Sequence, residues 1–367
     1  MRWGVSKNRA EAAPGDVPVE GWTPGFAPVE RFIREVIPTI PGGRQLSTDS
    51  RGHVELIREA AAARGLTVTM IGKKTCFYDG KLAVGGMSGW VPSLVGQHAW
   101  SICRYKDLSK QMFEAAGVPT PAGITVNPDQ FDAALAHVRA AGRPMVLKPV
   151  DGGSGDGITC GITGEEQLRA AWEKIKREAK ENPRYVLEEQ AEGVDIRAYV
   201  VGRRVVAAAT RVHAHVVGDG RQSIAELVEE KQEWRRDHTI LDNRSFIVET
   251  ALLQRHGRTM QDVPAADEIV VLNSVANLHV GGENVNITDL AHPDLLNLAV
   301  EATRSIPGLG VAGIDLLAPD IGTAEGAVVL EANVGANSRV HNCPTYGQPR
   351  NVAPAIIDEM IATATRT

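Results

Sequence analysis

Cysteine is scarce and scattered in this chain: Cys76, Cys103, Cys160 and Cys343 are the four, and none stands in a C-x-x-C pair. That argues against a zinc knuckle or a disulfide framework and fits a reducing compartment. The opening residues, Met1-Arg-Trp-Gly-Val-Ser-Lys-Asn-Arg, lack the apolar core of a signal peptide. No apolar run approaches the ~20 residues a membrane span requires, so the expectation is a cytoplasmic protein. A basic block is missing too. With 39 Lys and Arg against 45 Asp and Glu, a net charge of -6, a nucleic-acid backbone is not the expected main partner. There is no internal repeat of fixed period. What remains is an ordinary globular composition, 43% hydrophobic and 23% charged over 367 residues, enough for two or three domains with ample core.

Along the chain, helical and strand patterns alternate. Prolines at 14, 18, 24, 28, 38 and 41 leave room for one short helix, around 29–37. Asp49 or Ser50 can cap a helix that sets Val54, Ile57 and Ala61 on one face and stops at Gly65, before a strand at 66–71 and a hairpin turning at Asp79-Gly80. Residues 104–116 read as a helix with Leu108, Met112 and Ala115 or Ala116 inward. A strand, a helix and the strand ending at Lys148 follow, then a strand at 158–162, a charged helix at 165–180 and a strand at 184–191. Two antiparallel strands, 195–201 and 204–212, meet at Gly202, and Ser223 with Glu226 forms a capping box for a helix to about Arg236. Residues 237–290 are polar and mixed, with Gly281-Gly282 and Asp289 suggesting turns. A helix at 292–305, strands at 311–318 and 327–334, and a helix at 352–364 close the chain.

The chemistry concentrates at a few points. Met145-Val-Leu-Lys148 delivers a lysine into the glycine-rich loop 152–157, whose bare amides can surround phosphate oxygens. Gly72-Lys73-Lys74-Thr75 imitates the end of a Walker A loop but lacks its upstream glycine. Asp315, Glu331 and Asn333 are oxygen-bearing residues in otherwise apolar strands. Glu331 and Asn333, two apart, share a face that Asp315 can meet from a neighbouring strand. Such a set suits Mg²⁺, and it also suits a solvent-facing sheet edge that tolerates acids. Arg211 and Arg339 offer forks for carboxylate or phosphate, whereas Arg203, Arg204, Arg235 and Arg236 read as surface residues. His213 and His215 read as hydrogen-bonded histidines in preference to metal ligands, having no third ligand in view.

Taken in order, Lys106, Val-Leu-Lys148-Pro, the 152–157 loop, Val-Leu-Glu188-Glu189-Gln-Ala-Glu-Gly193-Val-Asp195-Ile-Arg197, Gly-Ile-Asp315 and Leu-Glu331-Ala-Asn333 resemble the ATP-grasp family of carboxylate–amine ligases. Arg211-Val-His-Ala-His-Val-Val-Gly218-Asp219-Gly220, Asn277-Leu-His-Val-Gly281-Gly282 and Gly347-Gln-Pro-Arg-Asn-Val are similar to the ATP-grasp module of cyanophycin synthetase. Leu56-Ile-Arg-Glu-Ala-Ala-Ala-Ala-Arg-Gly65 and Ala115-Ala-Gly-Val-Pro119-Thr-Pro-Ala-Gly123 are similar to the glutathione synthetase module of bifunctional enzymes.

The resemblance implies an α/β (α+β) ATP-grasp fold: a Pro/Gly-rich arm at 1–45, an N-terminal α/β subdomain at 46–104, a central lid subdomain at 105–193 and a C-terminal mixed-sheet subdomain at 194–367. It implies ATP and Mg²⁺, two ions or Mn²⁺ in their place. Lys106, Lys148, Gly153, Ser154, Gly155 and Gly157 would meet phosphates. Glu188, Glu189 and Ala191 would hold the base and Asp195 the ribose, while Asp315, Glu331 and Asn333 would hold metal. Arg211, Arg339 and Lys148 would be catalytic, with His341 beside them. The implied partners are small carboxylate and amine substrates, amino acids or a short peptide, without nucleic acid or membrane; a homodimer is the base-rate expectation. A phosphotransferase and an inactive nucleotide-binding regulator are the alternatives. The sequence lacks the Mur-ligase-like half of cyanophycin synthetase and the glutamate–cysteine ligase half of the bifunctional enzymes, so neither substrate set is assumed. Gly313 replaces an arginine of many D-alanine ligases, so Arg211 or Arg339 would have to supply its charge. His213 replaces a proline found in cyanophycin synthetases.

Overall fold

The structure, a computed structural model, describes residues 25–152, 157–178, 183–242 and 244–364. A five-stranded sheet forms its centre, in the order Glu283–Asn286, Arg204–Val212, Val194–Val201, Val311–Ala318, Val328–Asn333. The expectation was a mixed sheet. The named strands pair antiparallel throughout, and among the described residues a parallel element survives only as one bridge between Val285 and Tyr346.

Side-chain alternation gives this sheet two different faces. Ile196, Ala198 and Val200 point into a core shared with Leu295, Ala299 and Ala302 of helix Pro293–Ser305. On the other face, Tyr199 and Val201 lie under helices His53–Ala62 and Ala353–Ala364. These two helices cover one end of that face. The uncovered end carries Asp195 and Arg197, and it becomes the floor of a cleft.

A second antiparallel sheet, ordered Gly123–Val126, Tyr185–Glu189, Met145–Pro149, Thr159–Ile162, supplies one wall. Helices Phe131–Ala141 and Glu165–Glu178 back it. Trp172 is buried there with its ring edge-on to Phe131, centroids 5.5 Å apart, and its indole N–H donates to the Pro128 carbonyl. Near the N-terminus, helix His53–Ala62 precedes a four-stranded antiparallel sheet, Thr67–Ile71, Lys74–Asp79, Leu82–Ser88, Val91–Pro92. The hairpin turns at Gly80 as read. Gly72 and Lys73 form a tight turn and Lys74 opens a strand, so no phosphate loop exists there.

The short helix expected at 29–37 is present: Ala27–Arg31 continues as a π turn and a 3-10 turn to Thr39, and Phe26, Val29, Phe32, Ile33, Ile37 and Ile40 are buried in the central core. Helix Lys106–Ala115 sets Leu108 and Met112 against that core as expected, although both are only half-buried; it buries Ser109, Lys110 and Phe113 more fully, and Ala115 and Ala116 are exposed. Finally, 237–290 contains strand Glu283–Asn286, a full member of the central sheet. Its Glu-Asn-Val-Asn sequence holds a single apolar residue and so shows no strand pattern. Among the described residues, no helix is long and apolar enough to cross a membrane.

Candidate active site

The floor of the cleft is set by strand register. Arg211 lies opposite Asp195, and Arg197 lies opposite Asp315, which in turn faces Glu331. Five charged groups from four strands therefore share one face. Arg211 grips Asp195 with both arms, Nε to Oδ1 at 2.6 Å and Nη2 to Oδ2 at 2.8 Å, and its Nη2 also reaches Asp315 at 3.2 Å. Arg197 grips Asp315 through Nε and, at 2.7 Å, through Nη2. The Asn333 amide donates to Glu331 Oε1 at 3.1 Å and lies 3.4 Å from Asp315 Oδ2. Burial alone would push the Asp315 carboxyl up, but the Arg197 and Arg211 guanidiniums outweigh it and hold the group down at about 2.

Gly313 explains how Arg197 reaches this place. A Cβ on Gly313 would stand 2.9 Å from Arg197 Cδ and 2.6 Å from Ala336 Cβ, so the missing side chain is the space Arg197 lies across. The expectation assigned the charge beside Asp315 to Arg211 or Arg339. Arg211 contributes, but Arg197 is the principal partner and Arg339 is not one.

The facing wall carries Lys148, at the end of its strand, and Lys106, at the start of its helix. Lys148 Nζ lies 2.5 Å from Glu188 Oε1, and Lys110 Nζ lies 3.0 Å from Glu188 Oε2, all three groups buried. Glu188 was expected at a base edge. Its carboxylate instead turns inward to hold two lysines, because Tyr185–Glu189 pairs directly with the Lys148 strand. Glu189 pairs with exposed Arg143 at 3.2 Å, and neither it nor Ala191 lines the cleft. Lys106 Nζ donates to the Gly152 carbonyl at 2.6 Å and lies 3.5 Å from Glu331 Oε2, tying the loop to the floor. Gly157 closes that loop in the left-handed region, φ +75°; Gly153, Ser154 and Gly155 lie outside the described residues.

The third side is built from Arg244, Asn277, His279, Asn337 and Arg339. Arg339 Nη2 stands 3.5 Å from the carbonyl and hydroxyl oxygens of Thr239. Lys106, Lys148, Asp195, Arg211, Asp315, Glu331, Asn333 and Arg339 thus converge on one cavity of about 620 Å³. His341 does not line it. That ring is buried edge-on to Tyr199, and burial, then Arg197, pushes it down to about 3. His215 Nδ1 donates to the His213 carbonyl at 2.8 Å, and burial holds the two rings neutral, down at about 3 and 4. Sequence reading missed Arg197 as a site residue, although its spacing of two from Asp195 was the signal. Arg244 offered none, and His279 stood only inside the motif Asn277-Leu-His-Val-Gly281-Gly282.

Among the described residues, no three His, Cys, Asp or Glu side chains form a metal cluster. With Asn333 as the third donor, the oxygen set of Asp315 and Glu331 fits the chemistry of a hard divalent cation, the acids being adjacent across paired strands and Asp315 ionised.

No family model matches the chain. It is 38% identical over 266 residues to cyanophycin synthetase of Trichormus variabilis, a match covering 69% of this chain and 28% of that protein. It is 34% identical over 269 residues to the cyanophycin synthetase of Synechocystis, covering 71% and 30%. The bifunctional glutathione biosynthesis protein GshAB of Pasteurella multocida is 30% identical over 275 residues, covering 70% and 35%. The chain therefore spans about a third of the length of the curated relatives it matches. The crystal structure of a bifunctional glutathione synthetase from Pasteurella multocida superposes with a TM-score of 0.61 at 25% identity, covering 85% of this chain and 43% of that one. Two kinds of enzyme with different names match most of the chain, one of them in fold as well, and over the matched region the chain is similar to the ATP-grasp ligases.

Proposed function

We propose that this protein is an ATP-dependent carboxylate–amine ligase. It joins amino-acid-like substrates by an amide or peptide bond through an acyl phosphate, releasing ADP and phosphate. The observation that carries this reading is the placement of Lys106 and Lys148 across one cleft from Asp315, Glu331 and Asn333. The proposed subdivision into 46–104, 105–193 and 194–367 puts Lys106 and Lys148 on the second unit and the acids on the third. The second unit then works as a lid.

The chemical problem is that a carboxylate repels a nucleophile and oxide is a poor leaving group. Transfer of a phosphoryl group to that oxygen removes both obstacles. Lys148 and Lys106 stabilise the charge on the phosphates, and the amides of the 152–157 loop add hydrogen bonds. Glu188 orients Lys148 through their 2.5 Å pair. Asp195 serves ribose hydroxyls only while sharing its oxygens with Arg211. Asp315, Glu331 and Asn333 would hold Mg²⁺, which when bound offsets phosphate charge. Arg339 stabilises the oxyanion as the amine adds to the acyl carbon. No side-chain nucleophile is needed. Exclusion of water is, because an acyl phosphate hydrolyses, and closure of the proposed lid unit provides it.

The test is incubation with ATP, Mg²⁺ and a pool of amino acids and short peptides, following nucleotide, phosphate and product mass. ADP, phosphate and a condensed product in equal amounts are expected. AMP with pyrophosphate would sink the acyl-phosphate route, and a phosphorylated product made without any amine would make the protein a phosphotransferase.

A further inference from the structure

Six cations line the cleft: Lys106, Lys148, Arg197, Arg211, Arg244 and Arg339. Four have a carboxylate of the chain as partner: Lys106 has Glu331, Lys148 has Glu188, Arg197 has Asp315 and Arg211 has Asp195. Among the described residues, Arg244 and Arg339 form no ion pair with any carboxylate of the chain. Arg339 Nη2 touches only Thr239, at 3.5 Å, and its buried Nε has no hydrogen-bond partner. The neighbours of these two arginines on that wall, Asn277, Asn337 and His279, bring no negative charge.

The two guanidiniums also feel each other. Burial, and after it the charge of Arg339, makes Arg244 less basic than an ordinary arginine. The carboxylate pulling the other way is Asp242, an exposed side chain two residues earlier. Two like charges on one half-buried wall are unfavourable until an anion joins them. On the ligase reading, the reacting carboxylate of the acid substrate accounts for Arg339, and the phosphates belong to the lysine wall. Arg244 is left over.

Resting on that reading, we propose that the acid substrate carries a second carboxylate, bound by Arg244, so that the cleft selects dicarboxylic over monocarboxylic acids. A guanidinium fork suits this role, since it can meet both oxygens of a carboxylate at once and it cannot lose its proton. Arg244 is held in place by its own backbone, whose N–H donates to the Leu241 carbonyl. The side chain acts on binding and leaves the reacting atoms to Arg339.

The experiment compares paired probes that differ by one charge: L-aspartate and L-glutamate against L-asparagine and L-glutamine, and Gly-Asp and Gly-Glu against Gly-Asn and Gly-Gln. Each is measured for binding in the presence of Mg²⁺ and ADP and for ADP release from ATP with a mixed amine pool. The diacid of at least one pair should bind about tenfold or more tighter, the effect carried by KM. Arg244→Gln should erase the preference and Arg244→Lys should keep most of it, with ADP affinity unchanged in both. A panel in which no diacid outbinds its amide overturns the proposal. So does a preference that survives in Arg244→Gln, or a loss of ADP affinity there, which would assign Arg244 to the nucleotide. ADP release with no charge preference overturns this inference and leaves the ligase standing. A diacid preference in binding with no ADP release from any pair does the reverse.

Discussion

Glu188 holds two lysines with its two oxygens and is almost sealed from water. Each lysine would be expensive to bury alone, so the three charges are stable only as a set. Glu188→Gln leaves two buried ammonium groups facing a neutral amide and should cost about 3–5 kcal/mol of folding free energy, read from urea unfolding. An unchanged urea midpoint would show the lysines escaping to solvent. Glu331 differs: it is half-buried, with Lys106 3.5 Å away and Arg211 acting on it from farther off. Glu331→Gln should therefore keep the fold, with the melting temperature nearly unchanged, while ADP release in the ligase assay falls by about a hundredfold or more, as for loss of a charge acting at the transition state. Wild-type turnover in that variant would remove Glu331 from the proposed metal set.

At the scale of elements, the site depends on how closely two strands approach. Gly313 of Val311–Ala318 lets Arg197 of Val194–Val201 lie flat and reach Asp315. Gly313→Ala should overpack this spot at a cost of about 1–3 kcal/mol and displace Arg197, lowering activity by more than the lost stability accounts for; a variant with wild-type activity and stability would show that the strands yield easily. This dependence was invisible in sequence, where Gly313 marks only a missing arginine. The strands bearing Asp195, Asp315, Glu331 and Asn333 were legible because each is an apolar run broken by polar residues, two apart in Val194–Val201 and Val328–Asn333 and single in Val311–Ala318. Strand Glu283–Asn286 was not, having one apolar residue in four. Nor could a linear pattern reveal that Glu188 faces inward, since that follows from its pairing with the Lys148 strand rather than from its own neighbours. Arg244 lies among polar residues without periodicity, and only the fold brings it to the cleft.

For the whole molecule, acid should be the weak side. His213, His215 and His341 are buried with folded-state values of about 4, 3 and 3, below the ~6.5 of an unfolded histidine. Above pH ~6.5 they are neutral in both states and contribute no slope. As pH falls below that, the unfolded chain takes up protons that the native state refuses, and each histidine lowers stability by up to about 1.4 kcal/mol per unit. Asp315 and Glu283, both held at about 2, continue the loss below pH ~4. The denaturation midpoint in urea should thus fall steadily from pH 6.5 to 4, and a flat profile would mean that these imidazoles open to water. Residues 26–40 belong to the same core. Deleting residues 1–40 would strip six buried apolar side chains at about 1.5–3 kcal/mol each, more than a typical domain's net stability of about 5–15 kcal/mol tolerates, so that variant should fail to give a cooperative unfolding transition.

The four internal ion pairs of the cleft have a thermodynamic corollary. A phosphate that takes Lys106 must first part it from Glu331, and Glu331 is then left bare until a divalent cation reaches it. Entry is an exchange of partners, in which each ligand repairs the vacancy the other creates. On the proposed reading, nucleotide and metal are therefore heterotropically linked: the Kd for ADP should be about tenfold or more lower in Mg²⁺ than in EDTA, and the metal's own Kd should fall by the same factor when ADP is present.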